Sequence, residues 1–362
     1  MNKERVVLWK KFRKNRLAFF GLLFIALTVF LSLFAVVLSP DNAPQANTIH
    51  LALAAKKPGF KVDILKVPIN PEPETNWYDF MLGFPAKDEQ IPVLNWNISG
   101  DSLEYTAYYD EESLAEKQRI PLSRFGESGF EAEENLLSKR FWLGTDRFGR
   151  DMLSRMLIGA RISISVGLIA VCISMFVGIF LGSLAAYYGG KIDAAIQWLM
   201  NVIWSLPTLL LVIAFALALG KGLWQIFFAI GMSMWVDVAR LVRGQVLGLK
   251  EKEFVEAARV LGLSDMRILF RHILPNLVGP LTVVAAANFA SAILLEAGLS
   301  FLGLGVQAPS PSWGQMIKEH YGYIVLDSAY LAIIPGVAIM LLVMSFNFVG
   351  NGLRDSLDVK LK

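Results

Sequence analysis

Leu17-Ala-Phe-Phe-Gly-Leu-Leu-Phe-Ile-Ala-Leu-Thr-Val-Phe-Leu-Ser-Leu-Phe-Ala-Val-Val-Leu-Ser39 is a run of 23 residues without a charge. As a helix rising about 1.5 Å per residue it would reach roughly 34 Å, enough to cross a bilayer. The apolar region of a cleaved signal peptide is only about 7–15 residues long, so the run reads as a retained anchor. Ahead of it, residues 1–16 hold seven Lys/Arg against one Glu. A basic tail beside a hydrophobic span is an orientation signal rather than a nucleic-acid arm.

Working outward, five more apolar stretches follow, at 162–188, 196–220, 222–239, 273–304 and 330–349. The stretch at 273–304 is interrupted by Pro275 and Pro280, which membrane helices tolerate where neighbouring helices satisfy the freed backbone groups. The whole chain agrees with this pattern, with 55% hydrophobic and 18% charged residues and a positive mean hydropathy. Soluble domains average about 25% charged residues. Six spans put both termini on one face. Lys/Arg number 7, 1, 7 and 3 in segments 1–16, 189–195, 240–272 and 351–362, against one in each short loop on the other side. The positive-inside rule therefore predicts cytoplasmic termini and a cytoplasmic 240–272 segment.

Residues 41–140, with 17 Asp/Glu and 10 Lys/Arg, contain no stretch long enough to span and so fall on the outer face. Short β-prone pieces, 62–64 and 104–109, alternate with prolines and predict a small irregular insertion. The chemistry of the whole chain is limited: its one cysteine, Cys172, lies in an apolar run, and its three histidines are far apart. Neither a disulfide framework nor a metal-ligand spacing is present, and no nucleophile–base constellation appears. At the end of the insertion, residues 147–161 read as an amphipathic interfacial helix, capped by Thr145 or Asp146, with Asp146/Arg150 and Asp151/Arg155 four apart.

The long connection 235–276 carries the most distinctive pattern. It reads as helix, Gly262, short turn and second helix, with Ser264 as the cap of 265–274. Phe254, Ala257, Ala258 and Leu261 fall on one face, small at its centre, fit either for lipid headgroups or for a groove on a cytoplasmic partner. Asp237 and Arg240 read as a pair at the inner boundary.

Glu256-Ala257-Ala258, then Gly262, then Ile273-Leu274-Pro275 resembles the EAA signature of ABC importer permeases, with His272 where isoleucine is usual. Residues 143–155, 295–305, 309–314 and 350–358 are similar to the oligopeptide/dipeptide C-type branch, with Asn351 and Val359 departing from it. The resemblance implies an all-α polytopic protein with six transmembrane helices of the type I importer permease fold. The resemblance covers residues 141–358 and the N-terminal anchor but not 41–140, so the chain divides into an anchor (1–40), an extracytoplasmic insertion (41–140) and a five-helix core (141–362).

It also implies a peptide-importing permease in the bacterial cytoplasmic membrane, without cofactor or catalytic residues. Its partners would be a homologous second permease, two ATPase subunits and a solute-binding protein. Phe254, Glu256, Ala257, Ala258, Leu261, Gly262 and Pro275 would then form the ATPase-coupling surface. The absence of any Gly-x-x-x-x-Gly-Lys-Ser/Thr assigns ATP to another chain. Nickel, glutathione or another small solute are the alternative cargoes; a secondary transporter or a membrane-anchored sensor are the other classes. Asn288, Ser291 and Glu296 are candidate pathway or outer-gate residues, Glu296 being also a candidate tie to a neighbouring segment.

Overall fold

The computed structural model describes residues 9–109, 117–126 and 129–357. Residues 1–8 of the basic tail, and 358–362 with Val359, lie outside them. The first run forms helix α1 (Arg16–Leu33), capped by the Asn15 side chain, which accepts from the Ala18 amide. A helical turn, Ala35–Leu38, continues it.

The insertion is organised around an antiparallel sheet of β1 (Phe60–Pro68), β2 (Asp88–Ser99), β3 (Ser102–Ala107), β4 (Lys117–Pro121) and β5 (Leu136–Phe141), in the order β4-β3-β2-β1-β5. A short helix, α2 (Asp79–Leu82), lies in the β1–β2 connection. The alternation of side chains along β1 separates two apolar layers. Leu65 and Val67 face Val93, Leu103, Tyr105, Ile120 and Phe125. Val62 and Ile64 face Leu53 and Phe141, and so seat the sheet on the segment leaving the first helix. The irregular backbone is confined to the connections.

The rest is helical: α3 (Met152–Tyr188), α4 (Gly190–Trp204), α5 (Thr208–Leu219), α6 (Leu223–Lys250), α7 (Glu253–Val260), α8 (Asp265–Ile268), α9 (Val278–Leu302), α10 (Trp313–His320) and α11 (Tyr330–Leu357). Among the described residues, five segments, α1, α3, α6, α8 through α9, and α11, are long and apolar enough to cross a membrane, and a bent pair makes up to six.

Three expectations change. The stretch 196–220 is two helices, α4 and α5, meeting at 95°. Pro207 has no amide hydrogen to donate and disfavours helix at Leu206, so the chain turns there. Second, no separate helix spans 147–161. Residues 145–151 form a tight loop, and Asp151 caps a single 37-residue helix by accepting from the Ser154 amide at 2.7 Å. Third, α6 continues well past 239, and the following second helix changes form. A π turn (Leu269–Ile273) and a 3₁₀ turn (Leu274–Leu277) absorb Pro275 before α9. Ser264 precedes α8 without a side-chain capping bond.

The α3–α6 contact is the most extensive between helices. A Cβ on Gly178 would stand 2.5 Å from Val238 Cβ, one on Gly182 2.5 Å from Ala239 O, and one on Gly231 2.7 Å from Ile173 Cβ. Small residues let membrane helices approach closely where no hydrophobic force drives them together. Gly182→Val is expected to destabilise the full-length protein by about 1–3 kcal/mol through overpacking, seen as a lower midpoint of thermal unfolding in detergent. Gly244→Ala, which meets nothing within 4 Å, should leave that midpoint unchanged or slightly raised.

Candidate functional site

Two constructions stand at opposite ends of the helix bundle. At one end, the C-terminal ends of α3 and α6 present Ala186, Tyr187, Val238, Val242 and Val246, all buried. Val255 and Ala258 of α7, Ile268 of α8, and Leu269, Ile273 and Leu277 complete the same cluster. The Tyr187 hydroxyl donates to Asp265 at 2.6 Å, and Lys250 Nζ donates to the Tyr187 carbonyl at 2.5 Å. Gly262, at φ +74°, takes the left-handed turn that ends α7; its amide donates to the Arg259 carbonyl. A side chain there would strain the turn.

The apolar residues of α7 therefore divide between two faces. Ala258 turns inward with Val255, while Phe254, Ala257 and Leu261 stay exposed with Glu256. Leu261 is 79% exposed and Val260, which the sequence pattern did not single out, 84%. Pro275 is exposed at the start of the 3₁₀ turn. Beside this surface, Arg243 donates twice to Asp193, both bonds at 2.7 Å, and holds α4 to α6. Arg240 donates to Asn201 and lies 4.0 Å from the Trp204 ring centroid, rather than pairing with Asp237, which is exposed.

At the other end, the 145–151 loop is clamped between chain segments. Thr145 Oγ1 accepts from the Lys56 amide at 2.8 Å and donates to the Leu53 carbonyl. Asp146 accepts from the Phe148 and Arg150 amides and from Arg150 Nε at 2.6 Å. Arg150 also donates to Asn47 and to Glu319 of α10, each at 3.0 Å. The Asp146/Arg150 pair anticipated from spacing thus exists, but it closes a loop. Asp151 caps its helix, and Arg155 faces Asp146 and Glu319 at 3.5 and 3.8 Å. Asp146, Glu319 and His320 place ligand atoms within 4.8 Å of one another. Two guanidinium groups already neutralise the two carboxylates, so the arrangement is that of a buried ion-pair lattice rather than a cation cage.

Glu296 is wholly buried at the same end, accepting from Ser300 and Ser312 hydroxyls, both at 2.7 Å. It ties α9 to the start of α10. Trp313 continues the tie by donating from Nε1 to the Met156 carbonyl at 3.0 Å. Asn288 is buried and Ser291 exposed, so the three candidate pathway residues do not form one strip. The sequence reading missed Tyr187 and Glu319, and it paired Arg155 with Asp151 rather than with Asp146 and Glu319. Their partners lie far along the chain, and only the placement of the helix ends brings them together.

His50 lies in the clamped segment, its carbonyl 1.8 Å from where a Cβ on Gly149 would stand. Burial, and then the nearby Lys139 charge, push its imidazole from 6.5 down to about 4. The folded form thus keeps the ring neutral while the unfolded chain takes up a proton below about 6.5. This contribution is complete above pH 6.5 and is lost progressively as pH falls toward 4. The unfolding midpoint should drop between pH 7 and 5, and His50→Gln should flatten that part of the profile.

Residues 178–362 match the family model described as binding-protein-dependent transport system inner membrane component, and residues 6–55 match that for the N-terminal TM domain of oligopeptide transport permease C. Over 225 residues, 62% of this chain, it is 43% identical to the dipeptide transport system permease protein DppC of Alkalihalophilus pseudofirmus, covering 74% of that protein. Over the same length it is 43% identical to the glutathione transport system permease protein GsiD of Pectobacterium atrosepticum (74% covered) and 41% identical to the oligopeptide transport system permease protein OppC of Bacillus subtilis (73% covered). With the spanning helices and the EAA-bearing turn in place, the chain belongs to the binding-protein-dependent inner-membrane transport family and is a multi-pass ABC importer permease of the OppC/DppC type.

Proposed function

We propose that this chain forms half of the translocation pathway of an ATP-driven peptide importer and that the exposed rim of α7 docks an ATPase subunit. The single observation that carries the docking reading is the two-sided character of α7. Two residues, Val255 and Ala258, hold it to the ends of α3 and α6. Its other apolar side chains, Val260 and Leu261 above all, project among Glu253, Glu256 and Arg259. Large apolar groups on a charged surface beyond the spans mark a covered surface. A helix laid into a groove is the recognition mode that fits its size.

In this reading both termini and the α7–α8 turn are cytoplasmic, in keeping with the Lys/Arg distribution. The inserted sheet is extracytoplasmic, where a solute-binding protein delivers cargo. A homologous second permease lies against the bent pair α4–α5, whose Trp198, Trp204, Leu210 and Leu217 are exposed. Each permease subunit engages one of two ATPases, and their closure moves α7, which pulls the joined ends of α3 and α6. Peptide cargo is supported by relatives named for dipeptide and oligopeptide transport. Glutathione, a γ-linked tripeptide, is the second reading because GsiD relatives are equally similar.

Glu256→Arg reverses a charge on the exposed rim without touching Val255 or Ala258. It should abolish ATP-dependent peptide uptake into vesicles while the assembled complex is still recovered from membranes. Unchanged uptake by that variant would remove α7 from the coupling path.

A further inference from the structure

Residues 75–86 of the insertion carry one charge, Asp79, and it is buried. Within this stretch Trp77, Tyr78, Phe80, Met81 and Leu82 are between 45% and 85% exposed. The chain holds them out firmly. The Asp79 carboxylate accepts from the Asn76 amide at 2.6 Å, and the Gly83 amide donates to the Asp79 carbonyl at 2.8 Å. Gly83, at φ +107°, lies so close to Pro44 that a Cβ would stand 2.5 Å from its Cα, and the Phe84 amide donates to the Asn42 carbonyl. Exposure here is therefore built in by the backbone.

The location of this patch identifies what covers it. Arg161, on α3, donates to the Ser32 carbonyl at 2.9 Å and the Leu33 carbonyl at 3.3 Å, both at the end of α1, and also to the Met81 carbonyl. α2 packs on the Ala35–Leu38 turn. The patch is thus continuous with Phe30, Leu33, Phe34, Val37 and Leu38, the exposed apolar side chains at the end of the first spanning helix. Arginine stems lie along apolar surface with the charged head at the water boundary, so Arg161 marks the level of the headgroups. Tryptophan and tyrosine favour that same layer.

We infer that residues 77–82 are a membrane-surface anchor, resting in the interfacial layer of the leaflet on the sheet side and fixing the inserted sheet to the bilayer beside the first span. The occupant of the patch is lipid, not protein. Charge attraction plays no part, since the exposed side chains are neutral and the insertion is acidic overall; apolar burial alone holds it down.

The test uses the full-length chain with its co-purified partners in phosphatidylcholine vesicles. Cys172→Ser removes the one native thiol, and a nitroxide is attached at Leu82→Cys, at Trp77→Cys, or at Asp101→Cys in the β2–β3 hairpin. Labels at 82 and 77 should collide with dissolved oxygen several-fold more often than with an aqueous nickel chelate, and the label at 101 should show the reverse. Either position suffices if the other variant fails to assemble. Nickel access at 82 and 77 equal to that at 101 would overturn the anchor. So would shielding from both agents, which would mean that a protein covers the patch.

Discussion

The close approach of α3 and α6 is the contact on which the remaining structure depends. Gly178, Gly182 and Gly231 bring the two backbones together along much of their length, and any side chain there meets backbone or a branched carbon. In lipid, helix association comes from packing, not from water exclusion, so removing bulk at three positions does what a hydrophobic core does in water. The consequences appear at both ends of the pair. At one end the paired helices make a platform for α7 through Tyr187, Val242 and Val246. At the other, α3 reaches beyond the apolar layer, and its first turns carry Arg155 into the ion-pair lattice with Asp146 and Glu319. In the proposed coupling, a movement of α7 would reach the sheet-bearing face through these two helices.

The buried charges there lock geometry and add little net stability, since desolvation consumes most of the attraction between such groups. What they fix is register. Arg150 joins Asp146, Asn47 and Glu319, which come from three separate parts of the chain. Glu296, Ser312 and Trp313 add a second tie from α9 through α10 to α3. The family-like stretches at 143–155 and 309–314 lie at the same end of α3, where Met152 and Trp313 share one apolar cluster, and their Ser, Asp, Arg and Trp residues supply these ties.

Much of this was legible in sequence wherever the information is local. Long uncharged runs determine spans because lipid leaves the backbone no other partner. Gly262 marked its turn because only glycine enters that φ without cost. Other features depended on distant partners. The stretch 196–220 read as one span, whereas the chain bends by 95° at Pro207, with α4 held to α6 by Arg243–Asp193 and Arg240–Asn201 and α5 packed on α6 through Val212 and Ala216. Which face of α7 turns inward was undecidable from its own periodicity, because Val255/Ala258 and Phe254/Ala257/Leu261 both satisfy helical spacing; the ends of α3 and α6 choose. Arg150 and Glu319 are 169 positions apart, with nothing in either neighbourhood to indicate the other. Glu296 was legible as an unusual carboxylate, and the serines at 300 and 312 give it a tie rather than an open face.

In the proposed coupling, α7 presents its outward rim to an ATPase. Disulfide trapping in native membranes addresses it most directly, with a single cysteine at Leu261→Cys in a Cys172→Ser background and cysteines along the candidate groove of the ATPase. Leu261→Cys should form a cross-link whose yield changes when ATP binds. If no ATPase cysteine were captured by residue 261, while a second single-cysteine variant, at Gln245→Cys on α6, did capture the ATPase, the docking assignment would be contradicted.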